Sequence, residues 1–182
     1  MIDHADPPAE GTAPAASPAG SAHPAWEGRF NGREDFRALV RQALVQAASQ
    51  GWQRLVLCDA SFADWPLGER AVAESLQAWS RTGRSFVMLA RNYDAVVRDH
   101  ARFVTWRRQW SHIIDCRACS FADPLELPSA ILGGNWALRR LDPVRSAGVA
   151  GTDAAPRLTL REELDEWLRR SSPAFPSTTL GL

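Results

Sequence analysis

The chain has 182 residues, is 45% hydrophobic and 23% charged, and carries a formal net charge of zero. These are ordinary values for a soluble globular protein of one domain plus a tail, and the neutral balance gives no global field that favours nucleic acid or a membrane. All 21 basic residues are Arg, so no side-chain amine exists for a Schiff base, a P-loop or an HxK motif.

Residues 1–25 are mostly Pro, Ala, Gly and Ser. They carry too little apolar surface to offset the entropy of ordering, which predicts a disordered tail ahead of a single α/β domain over 26–182. The start lacks a basic segment followed by an apolar one, so no secretory signal is read there. No apolar run approaches the roughly 18 residues of a membrane span. Three cysteines without an export signal point to reduced thiols and a cytoplasmic location.

Asn31 with Glu34 three residues on reads as a helix start, and Phe36, Leu39, Val40, Ala43 and Ala47 follow at helical spacing up to Gly51. QRLVLCD (53–59) is a short apolar run, a buried strand. Asp64 with Pro66 opens a second helix, lined by Val72, Leu76 and Trp79 and closed by Gly83. SFVMLA (85–90) is the second strand, 93–110 a third helix, and HIIDCR (112–117) a third strand. SAILGGNWALRRL (129–141) reads as a hairpin around Gly133-Gly134-Asn135. Thr159 with Glu162 starts a last amphipathic helix, with Leu160, Leu164, Trp167 and Leu168 inward, before an irregular, Pro-containing end. Apolar strands alternating with helices predict a mainly parallel sheet with flanking helices, the hairpin adding antiparallel edge strands.

The third helix is the most informative stretch. At about 100° per residue, Val96, Phe103, Val104, Trp106 and Trp110 share one face. Arg98, Arg102, Thr105, Arg108 and Gln109 share the other. His100 and Arg107 fall near the middle of the apolar face, with Asp99 at its edge. A guanidinium on a core face is costly unless paired, so Arg107 is expected either to have a partner or to open into a cleft.

Charge is unevenly spread. Residues 81–145 hold 11 Arg against 6 acidic residues, and the rest of the chain holds 10 against 15. A basic half with Trp residues suits a phosphate backbone. The Trp residues face inward, however, and Thr and Gln interrupt the Arg face, so nucleic acid is set aside as a partner. A protein partner or a second copy of the chain remains.

Cys116 and Cys119 form a lone CxxC. It follows a strand and precedes SFADP, with no helix start to lower a thiol pKa. His112, Cys116 and Cys119 supply three of the four ligands zinc needs, but on a strand 112 and 116 are about 13 Å apart. No metal and no cofactor are expected.

In α/β folds, ligands sit outside the carboxyl ends of parallel strands. Asp59 ends the first strand, Arg91 and Asn92 follow the second, and Arg117 ends the third. Together with His100 and Arg107, the residues Asp59, Arg91 and Asn92 make up the candidate pocket. Asp59 with Arg91 is either a structural ion pair or a ligand-facing one. No GxGxxG, GxSxG or Walker motif is present.

Two stretches carry a resemblance. LDEWLRRSSPAFPSTTLGL (164–182) and RFVTWRRQWSHIIDCR (102–117) resemble bacterial proteins built on a domain of unknown function, over most of residues 30–182. That resemblance implies no activity. The element order together with AILGGNW (130–136) is similar to one half of a phospholipase D-like domain, in which HxKxxxxD precedes a strand and a Gly-Ser-x-Asn turn. Here the turn is one residue shorter and the HxKxxxxD motif is missing. With Asp123 in place of its Asp, Cys116 and Ala118 stand at the His and Lys positions. The resemblance therefore implies a relative without the phosphohistidine nucleophile and its phosphate-binding cation, acting as a non-catalytic binding or accessory protein. Two alternatives stand beside it. One is an enzyme acting on a small phosphate- or carboxylate-bearing ligand, with Arg91 and Arg107 as anion clamp and His100 as acid/base. The other is a nucleic-acid-binding module that uses the outer Arg face.

Overall fold

The computed structural model describes residues 26–176; the expected disordered tail (1–25) and the last residues of the irregular end (177–182) lie outside the described residues. Helix α1 (Arg33–Ser49) buries Phe36, Leu39, Val40, Ala43, Leu44 and Ala47, one continuous stripe at helical spacing. The expected Asn31–Glu34 cap is not used. The N-cap is Gly32 at φ +113, a conformation that L side chains rarely adopt, and Glu34 turns instead to Arg41.

Three apolar runs, β2 (Arg54–Asp59), β3 (Ser85–Ala90) and β4 (Ile114–Ala118), lie side by side in parallel. β2 is buried on both faces after its first residue, as an interior parallel strand must be. The hairpin forms from β5 (Ser129–Gly133) and β6 (Trp136–Asp142), turning at Gly134-Asn135, where Gly134 takes φ +55. Its β5 strand pairs antiparallel with β2. Beyond β6 lie β7 (Ala147–Gly151) and β1 (Gly28–Asn31), both antiparallel, and β8 (Ser172–Pro173) closes the far side against β4. The eight strands run β1-β7-β6-β5-β2-β3-β4-β8.

Two of the seven neighbour pairings are parallel and five antiparallel. The sheet is therefore mixed and mostly antiparallel, which corrects the mainly parallel sheet expected from the sequence. The hairpin strands are interior rather than at an edge, and three further strands were not foreseen. β1, β7 and β8 read GRFN, AGVAG and SP. Such short segments, rich in small residues, give no alternating apolar signal.

Helix α1, α2 (Arg70–Trp79), α3 (Asp94–Asp99) and α4 (Ala101–Gln109) cover one face of the sheet, whose core joins Phe36, Leu44, Leu76, Trp79, Phe86 and Phe103. The other face packs under α5 (Ala154–Arg170), through Val56, Cys58, Leu89, Leu132, Leu160 and Leu164. α5 starts five residues before the expected Thr159, behind Asp153. The expected third helix is two helices, broken at His100, whose backbone leaves helical values at φ −120, ψ 50. Phe103 and Trp106 are core, as their face requires. Trp110 sits at the rim instead, with its indole N–H donating to Gln77 Oε1 at 2.9 Å.

Candidate functional site

The carboxyl end of β2 carries a buried polar network. Asp59 Oδ1 accepts from the backbone N–H groups of Ser61 at 3.0 Å and Phe62 at 2.8 Å, while Oδ2 accepts from Ser129 Oγ at 2.6 Å and from Arg140 at 2.7 Å. The Arg140 side chain is only 4% exposed. It also donates to Ser129 Oγ, reaches Asp64 at 3.3 Å and lies over the Phe36 ring. The expected Asp59–Arg91 pair does not form; Arg140 takes that place. Arg140 went unnoticed in the sequence, although Trp136, Leu138 and Arg140 alternate along β6 and all three are buried. A charge on the inward phase of a strand was the available signal.

His100 serves the same end of the sheet. Its Nε2 lies 2.9 Å from the Phe62 carbonyl oxygen, and because a carbonyl only accepts, Nε2 carries the proton. Asp59 thus holds the Phe62 N–H and His100 holds the Phe62 C=O. Phe62 is fully buried at φ +59, a strained setting for a residue with a Cβ, and both polar groups hold it there. His100 also lines a polar cleft of about 290 Å³ with Arg33, Arg37, Asp64 and Glu69. The cleft's three carboxylates, Asp64, Glu69 and Asp99, are already engaged, Asp99 by Arg98 at 2.9 Å. Asp64 meets Arg33 and Arg140 at 3.3 Å each, and Glu69 meets Arg37 at 2.8 Å and Arg41 at 3.1 Å.

The remaining candidates do not join this site. Asn92 Oδ1 accepts from the Asp94 N–H at the start of α3. Arg91 donates to the Ala122 carbonyl at 3.1 Å, on the α5 side of the sheet. Arg107 lies in α4 on the other side, 5% exposed, and its neighbours are a thiol and a ring: Nε donates to Cys116 Sγ at 3.3 Å, and the guanidinium lies 4.6 Å from the Phe175 ring centre. Arg91 and Arg107 therefore form no clamp. Cys116 and Cys119 belong to the cores of opposite sheet faces, and His112 is exposed in a short turn beside Trp110. The three cannot meet on one ion. Burial pushes all three thiols, Cys58, Cys116 and Cys119, above the usual thiol range, and Arg107 opposes that only partly at Cys116.

A different cluster stands at the carboxyl ends of β3 and β4. Arg91 and Arg117 flank loop 119–123, and Arg170 at the end of α5 lies 5.1 Å from the ring centres of both Phe121 and Trp167. Arg117 donates to the hydroxyl and carbonyl of Ser171, at 3.0 and 2.8 Å. Among the described residues, none of these three guanidiniums is paired with a carboxylate, whereas Arg98 on the outer helix face is held by Asp99 and Arg169 by Glu166. Phe121 is 57% exposed. Charge and aromatic surface meet here and not on the outer face of the third helix, because Phe121 and Trp167 are 46 residues apart in sequence and only the fold brings them together.

No protein-family model matches the chain, and no curated protein matches it. Its fold resembles that of TrmBL2, an archaeal chromatin protein. The TM-score is 0.62 at 12% identity, over 86% of this chain and 57% of TrmBL2. The chain thus spans little more than half the length of TrmBL2, whose structure is described as showing a novel mode of DNA binding. The DNA binding described for this fold neighbour conflicts with the expectation that nucleic acid is no partner. That expectation rested on the face of a single helix, where Arg98 is paired with Asp99 while Arg102 donates to the Gly68 carbonyl.

Proposed function

We propose that this chain is a nucleic-acid-binding domain whose interface is the Arg–aromatic platform of Arg91, Arg117, Arg170, Phe121 and Trp167. The carrying observation is Arg170 over the exposed Phe121 ring, with Arg91 held on the neighbouring Ala122 and Arg117 on the neighbouring Ser171, none of the three paired with a carboxylate among the described residues. A guanidinium engages phosphate oxygens bidentately, and an exposed ring accepts a stacked base, so the platform suits a strand with unpaired bases. The likeness to a DNA-binding chromatin protein supports the same reading, with the strand-binding surface inferred from this chain's own residues. The cysteines are free and buried, which suits a reducing compartment such as the cytoplasm. Among the described residues, no helix is long and apolar enough to cross a membrane.

The test is fluorescence anisotropy with labelled single-stranded and duplex DNA over a range of salt. Binding should weaken steeply with salt. Each of Arg91→Ala, Arg117→Ala and Arg170→Ala should flatten the log–log slope for single strands by about 0.7. Arg98→Ala, whose guanidinium is already held by Asp99, should leave the slope unchanged. Salt-insensitive binding, or a triple variant that binds as the native chain does, would refute the reading.

A further inference from the structure

The buried Arg107 guanidinium lacks a proper counterpart. It is 5% exposed, Nη1 has no hydrogen-bond partner, and no ion pair is made among the described residues. An uncompensated buried charge is costly, so a fold retains one only where something else gains by it. What covers Arg107 is the Phe175 ring, carried on residues 171–176. The same ring stacks on Tyr93, with centroids 4.9 Å apart and planes 19° from parallel.

Both partners of Phe175 are fixed independently of it. The Tyr93 hydroxyl sits between the carbonyls of Met88 at 2.7 Å and Arg117 at 2.9 Å, and Arg107 is anchored on Cys116. The covering segment is weakly held by comparison. It pairs with β4 through Ser172 and Pro173 alone, adds one backbone bond from Ala174 to Cys116, and keeps Phe175 at φ +48, a strained value for a residue with a Cβ. Its remaining latch is Arg117, which donates twice to Ser171 and is also a residue of the platform.

We infer that Phe175 is an internal plug in a nucleobase slot formed by Tyr93 and Arg107, displaced when a strand engages the platform. Phenylalanine offers the slot a flat π face and nothing else. A nucleobase offers a larger, more polarisable face in the same place, which stacks on Tyr93 and on the guanidinium together. A phosphate that draws Arg117 away from Ser171 releases the latch and lets the segment lift. Extended chain from Ser171 to Phe175 spans roughly 13 Å, so a strand on the platform reaches the slot within a few nucleotides. The coupling between strand and plug rests on the nucleic-acid reading above; the slot itself does not.

The experiment titrates the full chain and Phe175→Ala with two probes, uridine monophosphate and a short labelled oligothymidylate, with melting curves to confirm folding. Phe175→Ala should bind the mononucleotide roughly tenfold or more tighter than the native chain, the scale of one stacked base. Adding Arg107→Met should abolish that gain. Phe175→Leu keeps an apolar cover without a π face, and it should move in the same direction if Phe175→Ala does not fold. If the unplugged variant binds the mononucleotide tightly but neither protein binds the oligonucleotide, the slot stands and the strand-binding reading fails. If the native chain binds the oligonucleotide and unplugging improves neither probe, the slot is refuted.

Discussion

Asp59→Asn probes the buried network most directly. With its oxygen kept at Oδ1 as acceptor for the Ser61 and Phe62 N–H groups, the amide puts an NH2 donor where Oδ2 accepts from Ser129 and Arg140. Arg140 then keeps its charge at 4% exposure, with the longer contact to Asp64 as its remaining ion pair. Breaking one side of a buried ion pair costs about 3–5 kcal/mol, because the surviving charge stays desolvated. Arg140→Met removes the charge and leaves Asp59 with three donors, which should cost about 2–4 kcal/mol. The double variant has no stranded charge. It should therefore be less destabilised than the sum of the singles, by about 2–3 kcal/mol. Urea titration of all four proteins, read by Trp fluorescence, gives the cycle directly. Single variants that each cost under about 1 kcal/mol, or costs that simply add, would refute the network as the lock on this end of the sheet.

Three further outcomes follow from packing and titration. Trp106→Ala should cost about 3–5 kcal/mol, whereas rim-placed Trp110→Ala should cost under about 2 kcal/mol, both measured as urea midpoints. A Cβ on Gly148 would stand 2.2 Å from the Arg139 carbonyl oxygen and 2.7 Å from the Phe30 ring, so Gly148→Ala should destabilise by about 1–3 kcal/mol in the same assay through loss of the β1–β7 pairing. Burial holds the Cys58 thiol well above its ordinary value of 9.0 and the Tyr93 phenol well above 10.0. Above those ordinary values the unfolded chain releases protons that the folded chain keeps, so the contribution of these two groups should be constant between about pH 6 and 8 and stability should fall as pH rises beyond about 9. Cys58→Ala should make the fall shallower once its own packing cost is subtracted.

What the sequence revealed depended on how local each cause was. Phe36, Leu39, Val40 and Ala43 announce α1 through spacing alone, and the apolar runs of β2 and β3 announce buried strands. The break at His100 was hidden because the apolar pattern of 94–110 continues across it, and the His100 side chain meets a carbonyl 38 residues away. Asp59 was found, being polar at the end of an apolar strand, but its partner Arg140 lies 81 residues on and was read only as part of a hairpin. Arg107 was singled out correctly as a charge on an apolar face. That it meets a thiol and a phenylalanine ring instead of a carboxylate depends on residues 171–176, whose composition gives no structural signal. The platform was invisible for the same reason, since Arg91, Phe121 and Arg170 belong to three separate segments.

The two-residue strand β8 has a consequence for colloidal behaviour. β4 borders the sheet, and Ser172, Pro173 and Ala174 cover only its last residues. When that cover lifts, Cys116 and its neighbours present unsatisfied backbone groups along an open rim, a template on which another chain can add a strand. The occupied protein, and not the empty one, is then the form exposed to self-association. Asp115 and Arg117 sit on this rim, and charges at such positions act as gatekeepers that discourage edge-to-edge stacking during the interval when the rim is bare.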